Sequence, residues 1–474
     1  MSDALEERYR EALVARPDDA EALRALAQLL GARGYAAQER GELAAAAEDY
    51  EEALALDPAQ APVHNNLGNV YQALGRNEEA VAAFRGAIAA DDAFAEAHLN
   101  LGIALHQAGA LDEAAGCYRA ALRRKPALAL ASVNLGYLLE QQGDASGAAD
   151  SYRRAIAAQP DCAEAHFNHA LLLLQAGDFA RGWEEYEWRL KLPELAPFWP
   201  FRDRPRWDGA ALEGRRILLY AEQGFGDALQ FVRYVPLVAA RGGKVILSCP
   251  GKLAGLFASA QGVAEVHDAA TPPPGFDVCC SLLSLPRLFG TTVETIPAAV
   301  PYLQPRAEAV GHWRRRLGSD GLKVGLFWST ESKNRMTPLR SLELETLAPL
   351  ASAPGAVFYS LQRGAAAGQA QRPPRGMRLV DLAAELKDFS DDAAVLECLD
   401  LVITINTSTA HLAGALGRPV WTLVHYPPDW RWLAGRDDTP WYPSMRLFLR
   451  AQDESWDDVA ARVGAALQAL AAAA

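Results

Sequence analysis

A carboxylate with a candidate catalytic role stands in a glycine-containing turn near the start of the C-terminal half. The turn reads Glu222-Gln223-Gly224-Phe225-Gly226-Asp227 and follows a short apolar segment, 217–220, that is typical of a strand. A helix is expected after the turn, so Asp227 should lie at or beside a helix N-cap. An aspartate in that place can cap the helix, or it can accept a proton from a bound hydroxyl group. Both roles are open for Asp227, and Glu222, Gln223 and Gly226 are expected near it in a cleft.

The glycines of this turn do not form the fingerprint of a dinucleotide site. Gly224 and Gly226 have the right spacing, but Leu229 stands where the third glycine of that motif is needed. The turn therefore predicts something other than a pyrophosphate cradle.

A second polar turn follows the apolar segment 401–405. It contains Asn406, Thr407, Ser408 and His411, and it continues into an apolar helix. Hydroxyl groups and unpaired backbone N–H groups at a helix N-terminus are typical of a phosphate site. The alternative is an ordinary Ser or Thr cap, with His411 in the core.

Three cations follow the apolar segment 324–328, namely Lys333, Arg335 and Arg340. In a parallel sheet, the loops that follow two strands open at the same edge, so these cations are candidates to bind the same anion as the second polar turn. The alternative interpretation is that these three side chains lie on the surface and contact only solvent.

The elements that must position these groups are short apolar segments that alternate with helices. Such alternation predicts parallel sheets covered by helices on both faces. Prolines at 297, 301 and 305 interrupt the series, which indicates two doubly wound, Rossmann-like halves that face a cleft. The predicted strands are 217–220, 245–248, 276–279, 324–328, 357–361, 401–405 and 420–424.

The N-terminal part has a different organisation, with a period of 34 residues. Gly41, Gly75, Gly109, Gly143 and Gly177 recur at this interval. Small and aromatic residues recur in register with them, so one unit cannot bury its apolar face without stacking on the next. The pattern resembles tetratricopeptide repeats. We therefore predict a repeat solenoid over 1–190, a Pro- and Trp-rich connector over 191–213, and α/β domains over 214–308 and 309–474.

The repeats also carry an asparagine at one fixed position, as Asn66, Asn100, Asn134 and Asn168. Asparagine is a mediocre helix former, so four in register suggest a ladder of amides that binds an extended peptide backbone. Such a ladder resembles that of the eukaryotic O-linked N-acetylglucosamine transferase. Two alternatives remain open. Duplication of the repeat could have copied the asparagines without any use for them, or they could form hydrogen bonds between neighbouring helices.

The C-terminal motifs carry a second resemblance, over roughly residues 160–450. The Gly-Asp turn, the basic loop, the Thr-to-His turn and the segment 427–432 are together similar to heptosyltransferase-related glycosyltransferases of family 9, which have the GT-B fold. In particular they resemble the bacterial branch in which this domain follows tetratricopeptide repeats. The resemblance implies a catalytic base at Asp227. It also implies donor phosphate binding by Lys333, Arg335, Thr407, Ser408 and His411.

This chain departs from the family pattern at one position. Family members commonly carry Asp-Thr at the end of the strand, whereas Asn406-Thr407 stands here. An amide can keep a structural hydrogen bond but carries no charge, which leaves the donor preference and the level of activity open.

Aromatic residues cluster after the second polar turn. Trp430, Trp432, Trp441 and Tyr442 are expected to pack in the core rather than to stack on a base. Asn406 and Asp429 are further candidate cleft residues, and Asp429 is expected to form a structural ion pair with Arg431.

Composition restricts the classes of partner. A formal net charge of −13 argues against a broad surface for nucleic acid or anionic lipid. The six scattered cysteines show no metal-ligand spacing and suit a reducing compartment. We expect no metal, no cofactor and no membrane span. The start carries no secretory pattern, so a cytoplasmic location is expected.

These observations predict a metal-independent glycosyltransferase that uses a nucleotide-sugar donor. The acceptor is expected to be a Ser or Thr hydroxyl of a protein held by the repeats. Two alternatives stay open: transfer to a saccharide or lipid-linked glycan, and a non-catalytic adaptor with a degenerate transferase domain. The sugar, the nucleotide, the stereochemical outcome and the oligomeric state are not fixed by the sequence.

Overall fold

The computed structural model describes residues 2–198, 201–331 and 337–473. The chain divides into two compact units, Met1–His169 and Ala170–Ala474. Among the described residues, no helix combines the length and apolar character needed to cross a bilayer.

Helices alone form the first unit, and they continue into the start of the second. The bounds are α1 Ser2–Ala15, α2 Ala20–Glu39, α3 Leu43–Leu56, α4 Ala61–Ala73, α5 Asn77–Ala90, α6 Ala95–Gln107, α7 Leu111–Arg124, α8 Ala129–Gln141, α9 Ala145–Ala158, α10 Ala163–Gln175 and α11 Phe179–Tyr186. The five glycines of the 34-residue period lie in the turn inside each helix pair, with φ between 75° and 84°. This left-handed conformation is readily adopted only by glycine, which explains their spacing.

A second set of glycines lets the two helices of a pair approach closely. Gly68, Gly102 and Gly136 lie against the rings of Phe84, Tyr118 and Tyr152, which are fully buried. A Cβ atom at these glycines would lie 2.5–2.6 Å from the nearest ring carbon. The contact therefore fixes how the two helices of each pair pack, and we call it the glycine–ring contact.

The first α/β region contains a parallel sheet of four strands in the order β3-β2-β1-β4. Its strands are β1 Arg216–Tyr220, β2 Lys244–Cys249, β3 Val263–Asp268 and β4 Val278–Ser281. Its helices are α12 Phe225–Phe231, α13 Val235–Ala239, α14 Gly251–Phe257 and α15 Leu285–Leu288. The central strands β1 and β2 are buried at every position except the first, so helices and loops cover both faces.

The second α/β region contains a parallel sheet of six strands in the order β10-β9-β8-β5-β6-β7. Its strands are β5 Leu322–Phe327, β6 Ala356–Ser360, β7 Leu379–Asp381, β8 Leu401–Ile405, β9 Val420–Val424 and β10 Met445–Leu449. Its helices are α16 Ala307–Leu317, α17 Thr337–Arg340, α18 Phe389–Leu396, α19 Ser408–Ala415 and α20 Trp456–Ala473. Short 3₁₀ turns make up much of the remaining chain.

The predicted fold class is confirmed: a helical repeat array precedes two parallel-sheet regions, an arrangement that resembles the GT-B fold. All seven predicted strands are present, and those at 401–405 and 420–424 have the predicted bounds. The strand predicted at 276–279 begins two residues later, at Val278. Three strands were missed, namely β3, β7 and β10, and each of them lies at the edge of its sheet.

The compact division at His169/Ala170 precedes the predicted end of the solenoid at residue 190. Helix α11 belongs to the second unit, where the Trp183 ring lies edge-on against Trp430 and Trp441, with centroids 5.4 and 6.5 Å apart. The predicted domain limits remain predictions.

The glycine–ring contact predicts an unusual response to alanine. Gly102→Ala should lower the free energy of unfolding, because the new methyl group would overlap the Tyr118 ring, and overpacking costs about 1–3 kcal/mol. Gly116 is the matched control, since it lies in a helix and a Cβ atom added there would have no heavy atom within 4 Å. Gly116→Ala should instead raise stability by about 0.5–1 kcal/mol through helix propensity. Urea unfolding followed by circular dichroism measures the free energy of unfolding of both variants. Equal changes of the same sign would show that the Tyr118 ring does not restrict position 102.

Candidate functional site

Asp227 lies in the first turn of α12, three residues after the N-cap residue Gly224. Its Oδ2 accepts a hydrogen bond from the Gly224 backbone N–H at 3.0 Å. Its Oδ1 accepts from Nη2 of Arg431, which lies 204 residues further along the chain. The prediction that this carboxylate lies beside a helix N-cap is therefore confirmed, and both of its oxygens are engaged.

Arg431 lies between two carboxylates, those of Asp227 and Asp429. Its Nη1 donates to both oxygens of Asp429, at 2.9 and 3.1 Å. Burial lowers the pKa of Arg431, but the two carboxylates outweigh burial and raise that pKa overall. Burial acts to raise the pKa of Asp429, but Arg431 outweighs it and leaves that pKa below its ordinary value. The predicted pair of Asp429 with Arg431 is confirmed, whereas its extension to Asp227 was missed.

Arg340 lies close to this cluster. Burial lowers the pKa of its guanidinium, and so does Arg431, while Asp429 and Asp227 oppose the shift. Its Nε is buried and has no hydrogen-bond partner among the described residues. Of the three predicted cations, Arg340 is thus near Asp227, whereas Lys333 and Arg335 lie outside the described residues.

The second polar turn forms the N-terminus of α19, with Thr407 as the N-cap residue. The Thr407 hydroxyl lies 3.4 Å from the Ile405 carbonyl oxygen, and Ser408 is partly exposed at the start of the helix. Ser408 and Thr409, the first two residues of α19, line a crevice at this end of the helix. The arrangement suits an anion, as the sequence predicts.

His411 is buried and neutral. Its Nδ1 lies 2.9 Å from the Tyr442 hydroxyl, and its ring stacks on Trp432 with centroids 5.2 Å apart. Burial, helped by Arg431, lowers its pKa from 6.5 to about 3. At neutral pH the imidazole therefore contributes no positive charge, and any contact with a phosphate would have to be a hydrogen bond. These surroundings match the alternative interpretation, in which His411 is a core histidine.

The two polar turns meet at His411. A Cβ atom on Gly226 would lie 2.9 Å from Cδ2 of His411. A side chain at position 226 would therefore force α12 and α19 apart, which explains why glycine stands here in the Gly-Asp turn. Asp227 and the N-terminus of α19 thus belong to one site.

Two of the predicted cleft residues are buried. The Glu222 Oε1 accepts from Nη2 of Arg189 at 2.7 Å and from the Ser281 hydroxyl at 2.5 Å, so this carboxylate is a structural ion-pair partner and not an open cleft group. Asn406 is only 6% exposed at the end of β8. Gln223 has a φ of 61° and lies 3.5 Å from the Tyr186 hydroxyl.

The aromatic cluster packs as predicted. Trp432, Trp441 and Tyr442 are fully buried, and Trp430 is 5% exposed. Trp430 and Trp441 contact Trp183 of α11 and Phe231 of α12, while Trp432 and Tyr442 contact His411.

A crevice of about 200 Å³ lies at the carboxyl ends of β5 and β8. Strand β6 lies on the other side of β5 from β8, so this is the switch point of the sheet, where ligands of such folds bind. Ser408 and Thr409 of α19 line the crevice, and Phe225 faces Phe389 there with ring centroids 5.0 Å apart. Other lining residues are Lys252, Phe327, Ser329, Thr330, Glu331, Leu361, Arg363, Gly364, Asp392 and Leu396.

A charged pair in this crevice was missed by sequence reasoning. The Asp392 Oδ1 accepts from Nη2 of Arg363, and burial raises the pKa of Asp392 to about 7 although Arg363 opposes the shift. The two residues are 29 positions apart and belong to no motif, so no sequence signal identified them.

The amides of the repeats are partly used within the protein. Asn100 Nδ2 donates to Asn65 Oδ1 at 2.9 Å and to Asn69 Oδ1 at 3.3 Å, so it bridges two neighbouring repeats. This is the interhelical bonding that the sequence left open as an alternative. Asn66, Asn134 and Asn168 are partly exposed.

Comparison with known proteins supports the repeat assignment. Residues 65–129 and 133–187 match the family model described as tetratricopeptide repeat, and residues 34–75 match a second, described as TPR repeat. Protein FlbA of Caulobacter vibrioides is 31% identical over 321 residues, which cover 62% of this chain and 53% of FlbA. The chain thus spans about half the length of this curated relative.

Three solved structures are each similar to part of the chain. A glycosyl transferase of family 9 from Veillonella parvula is 10% identical with a TM-score of 0.44, covering 56% of this chain and all of its own. MamA is 21% identical with a TM-score of 0.32, covering 35% of this chain and 96% of its own. The TPR protein YrrB, whose structure is described as having an unusual peptide-binding site, is 21% identical with a TM-score of 0.33 and coverages of 40% and 94%.

The buried His411 predicts a loss of stability in mild acid. The unfolded chain binds a proton below about pH 6.5, whereas the folded protein does not until about pH 3, so the free energy of unfolding falls as the pH falls between these values. Between pH 7 and about pH 5, the free energy of unfolding of the wild type should fall by about 2 kcal/mol more than that of His411→Gln.

Urea unfolding at the two pH values measures the difference. His312→Gln provides the matched control, because the His312 side chain is exposed on α16. A variant of His411 with the same pH dependence as wild type would show that its burial does not restrict protonation.

Proposed function

We propose that this protein is a glycosyltransferase that uses a nucleotide-sugar donor. The observation that carries the proposal is the meeting of two turns: Asp227 on α12 lies beside the N-terminus of α19, at the switch point of the six-stranded sheet. An acidic oxygen thereby stands near a site that suits a phosphate group. This combination is what transfer from a phosphate-linked sugar to a hydroxyl group requires.

The donor is assigned to the crevice at β5 and β8. The N-terminus of α19, with Thr407 and Ser408, supplies backbone N–H groups and hydroxyls for a diphosphate. Arg340 adds a cation whose Nε has no partner among the described residues. The segment after Glu331, which carries Lys333 and Arg335, is proposed to complete the phosphate site. The aromatic and hydroxyl groups of the crevice suit a nucleoside or a sugar.

Asp227 is proposed to accept the proton of the acceptor hydroxyl. The hydroxyl oxygen then bonds to the anomeric carbon, the bond from that carbon to the phosphate oxygen breaks, and the nucleoside phosphate leaves with the electron pair. Arg431 keeps Asp429 as an ion-pair partner when Asp227 turns to the acceptor. Arg340 and the N-terminus of α19 stabilise the charge that develops on the phosphate, so the proposed reaction is independent of metal.

The acceptor is proposed to be a Ser or Thr of a polypeptide that the repeats hold through Asn66, Asn134 and Asn168. One observation favours a second candidate, in which the repeats recruit a partner and the sugar is transferred to a saccharide or a lipid-linked glycan. Asn100 already bonds to Asn65 and Asn69, which leaves the amide ladder incomplete. Intact-mass analysis of candidate proteins incubated with the donor distinguishes the two acceptors.

Calorimetric titration with UDP, CMP, GDP and ADP tests the donor site. One of these nucleotides should bind, since the crevice offers a helix N-terminus for the diphosphate. Absence of binding by all four would favour the non-catalytic adaptor.

Asp227→Asn should reduce sugar transfer by about 10²–10⁴-fold, which is the usual contribution of a general base. Nucleotide affinity should change little, because the amide can still accept from the Gly224 N–H. Asp429→Asn is the matched control, since it removes the other carboxylate from Arg431 without removing the proposed base. The rate of nucleotide release measures sugar transfer by both variants. Equal losses of transfer rate would show that Asp227 acts only by holding Arg431.

A further inference from the structure

A groove of about 490 Å³ lies on the repeat unit, between α7 and α9. Leu135 and Leu139 of α8 line it and are 5% and 8% exposed, and Leu122 of α7 lies beside them, partly exposed. Three arginines, Arg119, Arg123 and Arg154, line the same groove. It therefore combines an apolar floor with cationic walls.

These arginines are available to a ligand. All three side chains are exposed, and none has an ion pair or hydrogen bond to another described part of the chain. The two acidic residues of the groove are engaged by their own helix: Asp144 accepts from the Gly147 backbone N–H at 2.8 Å, and Asp150 pairs with Arg153. The groove thus has unpaired positive charge in a chain whose formal net charge is −13.

Repeat duplication does not account for two of the three arginines. The positions 34 residues before and after Arg123 hold Ala89 and Ala157, and the position 34 residues before Arg154 holds Ala120. Arg119 does occupy a recurrent arginine position. Its equivalent Arg85 lies 3.4 Å from Glu113, however, whereas Arg119 has no such partner among the described residues. The preceding repeat therefore lacks this set of unpaired arginines at the equivalent positions.

We infer that this groove binds an acidic polypeptide segment of a partner protein, with an apolar side chain of that segment against Leu122. Charge complementarity carries the inference, because three unpaired guanidinium groups suit carboxylates. A peptide can place an uncharged residue opposite Asp144 and Asp150, whereas a nucleic acid carries a phosphate at every step and would be repelled there. The inference does not depend on the proposed transferase activity.

Fluorescence anisotropy with the full chain tests this site. The probe is a short fluorescein-labelled peptide of repeating Glu-Glu-Leu, with Lys-Lys-Leu and Gln-Gln-Leu peptides as controls. Only the acidic peptide should bind, and its affinity should fall as salt is added. Failure of the acidic peptide to bind at low salt would overturn the inference. So would tighter binding by a single-stranded DNA oligonucleotide competing for the groove.

A double variant, Arg123→Ala with Arg154→Ala, locates the binding. It installs the residues that the preceding repeat carries at these positions, so the helices should fold as before. The acidic peptide should bind about tenfold more weakly to it, since two of its ion pairs with the groove are lost. Arg85→Ala, on the neighbouring pair, is the matched control and should leave the affinity unchanged. Equal affinity of wild type and double variant would overturn the site.

Discussion

The ion-pair cluster of Asp227, Arg431 and Asp429 joins two regions that are distant in the sequence. Asp227 belongs to the first α/β region, while Arg431 and Asp429 belong to the second. The Arg431 and Asp227 side chains are only 11% and 13% exposed, and removal of one partner from such a buried pair leaves an uncompensated charge. The cluster therefore fixes α12 beside α19, and with it the proposed reacting groups. The position of the crevice residues depends on this constraint.

Local conformational rules made much of the fold predictable. The 34-residue glycines mark turns that need a positive φ, and the buried strands appear as continuous apolar runs because helices cover both faces of each sheet. The same rule explains two of the three missed strands. An edge strand is covered less completely, so β3 has exposed positions at Ala264 and Glu265, and β7 has only three residues. Neither produces an apolar run long enough to recognise.

The candidate site was predictable in its residue types but not in its pairings. The Gly-Asp turn and the Thr-to-His turn could be found because each follows an apolar strand. The identity of each charge partner depends on contacts across long sequence separations, such as Arg189 with Glu222 and Arg431 with Asp227. For that reason Glu222 was predicted in a cleft, although it is buried in an ion pair with Arg189. For His411 the sequence left a phosphate contact and a core position open, and its ring lies beside Trp432 and Tyr442.

The glycine–ring contact has a mechanical consequence for the repeats. Gly102 on α6 contacts Tyr118 on α7, and Gly136 on α8 contacts Tyr152 on α9, so each contact lies within one helix pair. Packing is therefore closer within a pair than between pairs, so we expect the array to bend mainly at the joints between pairs. The arginine-lined groove lies at one such joint, so a bound segment there would set the local curvature of the superhelix.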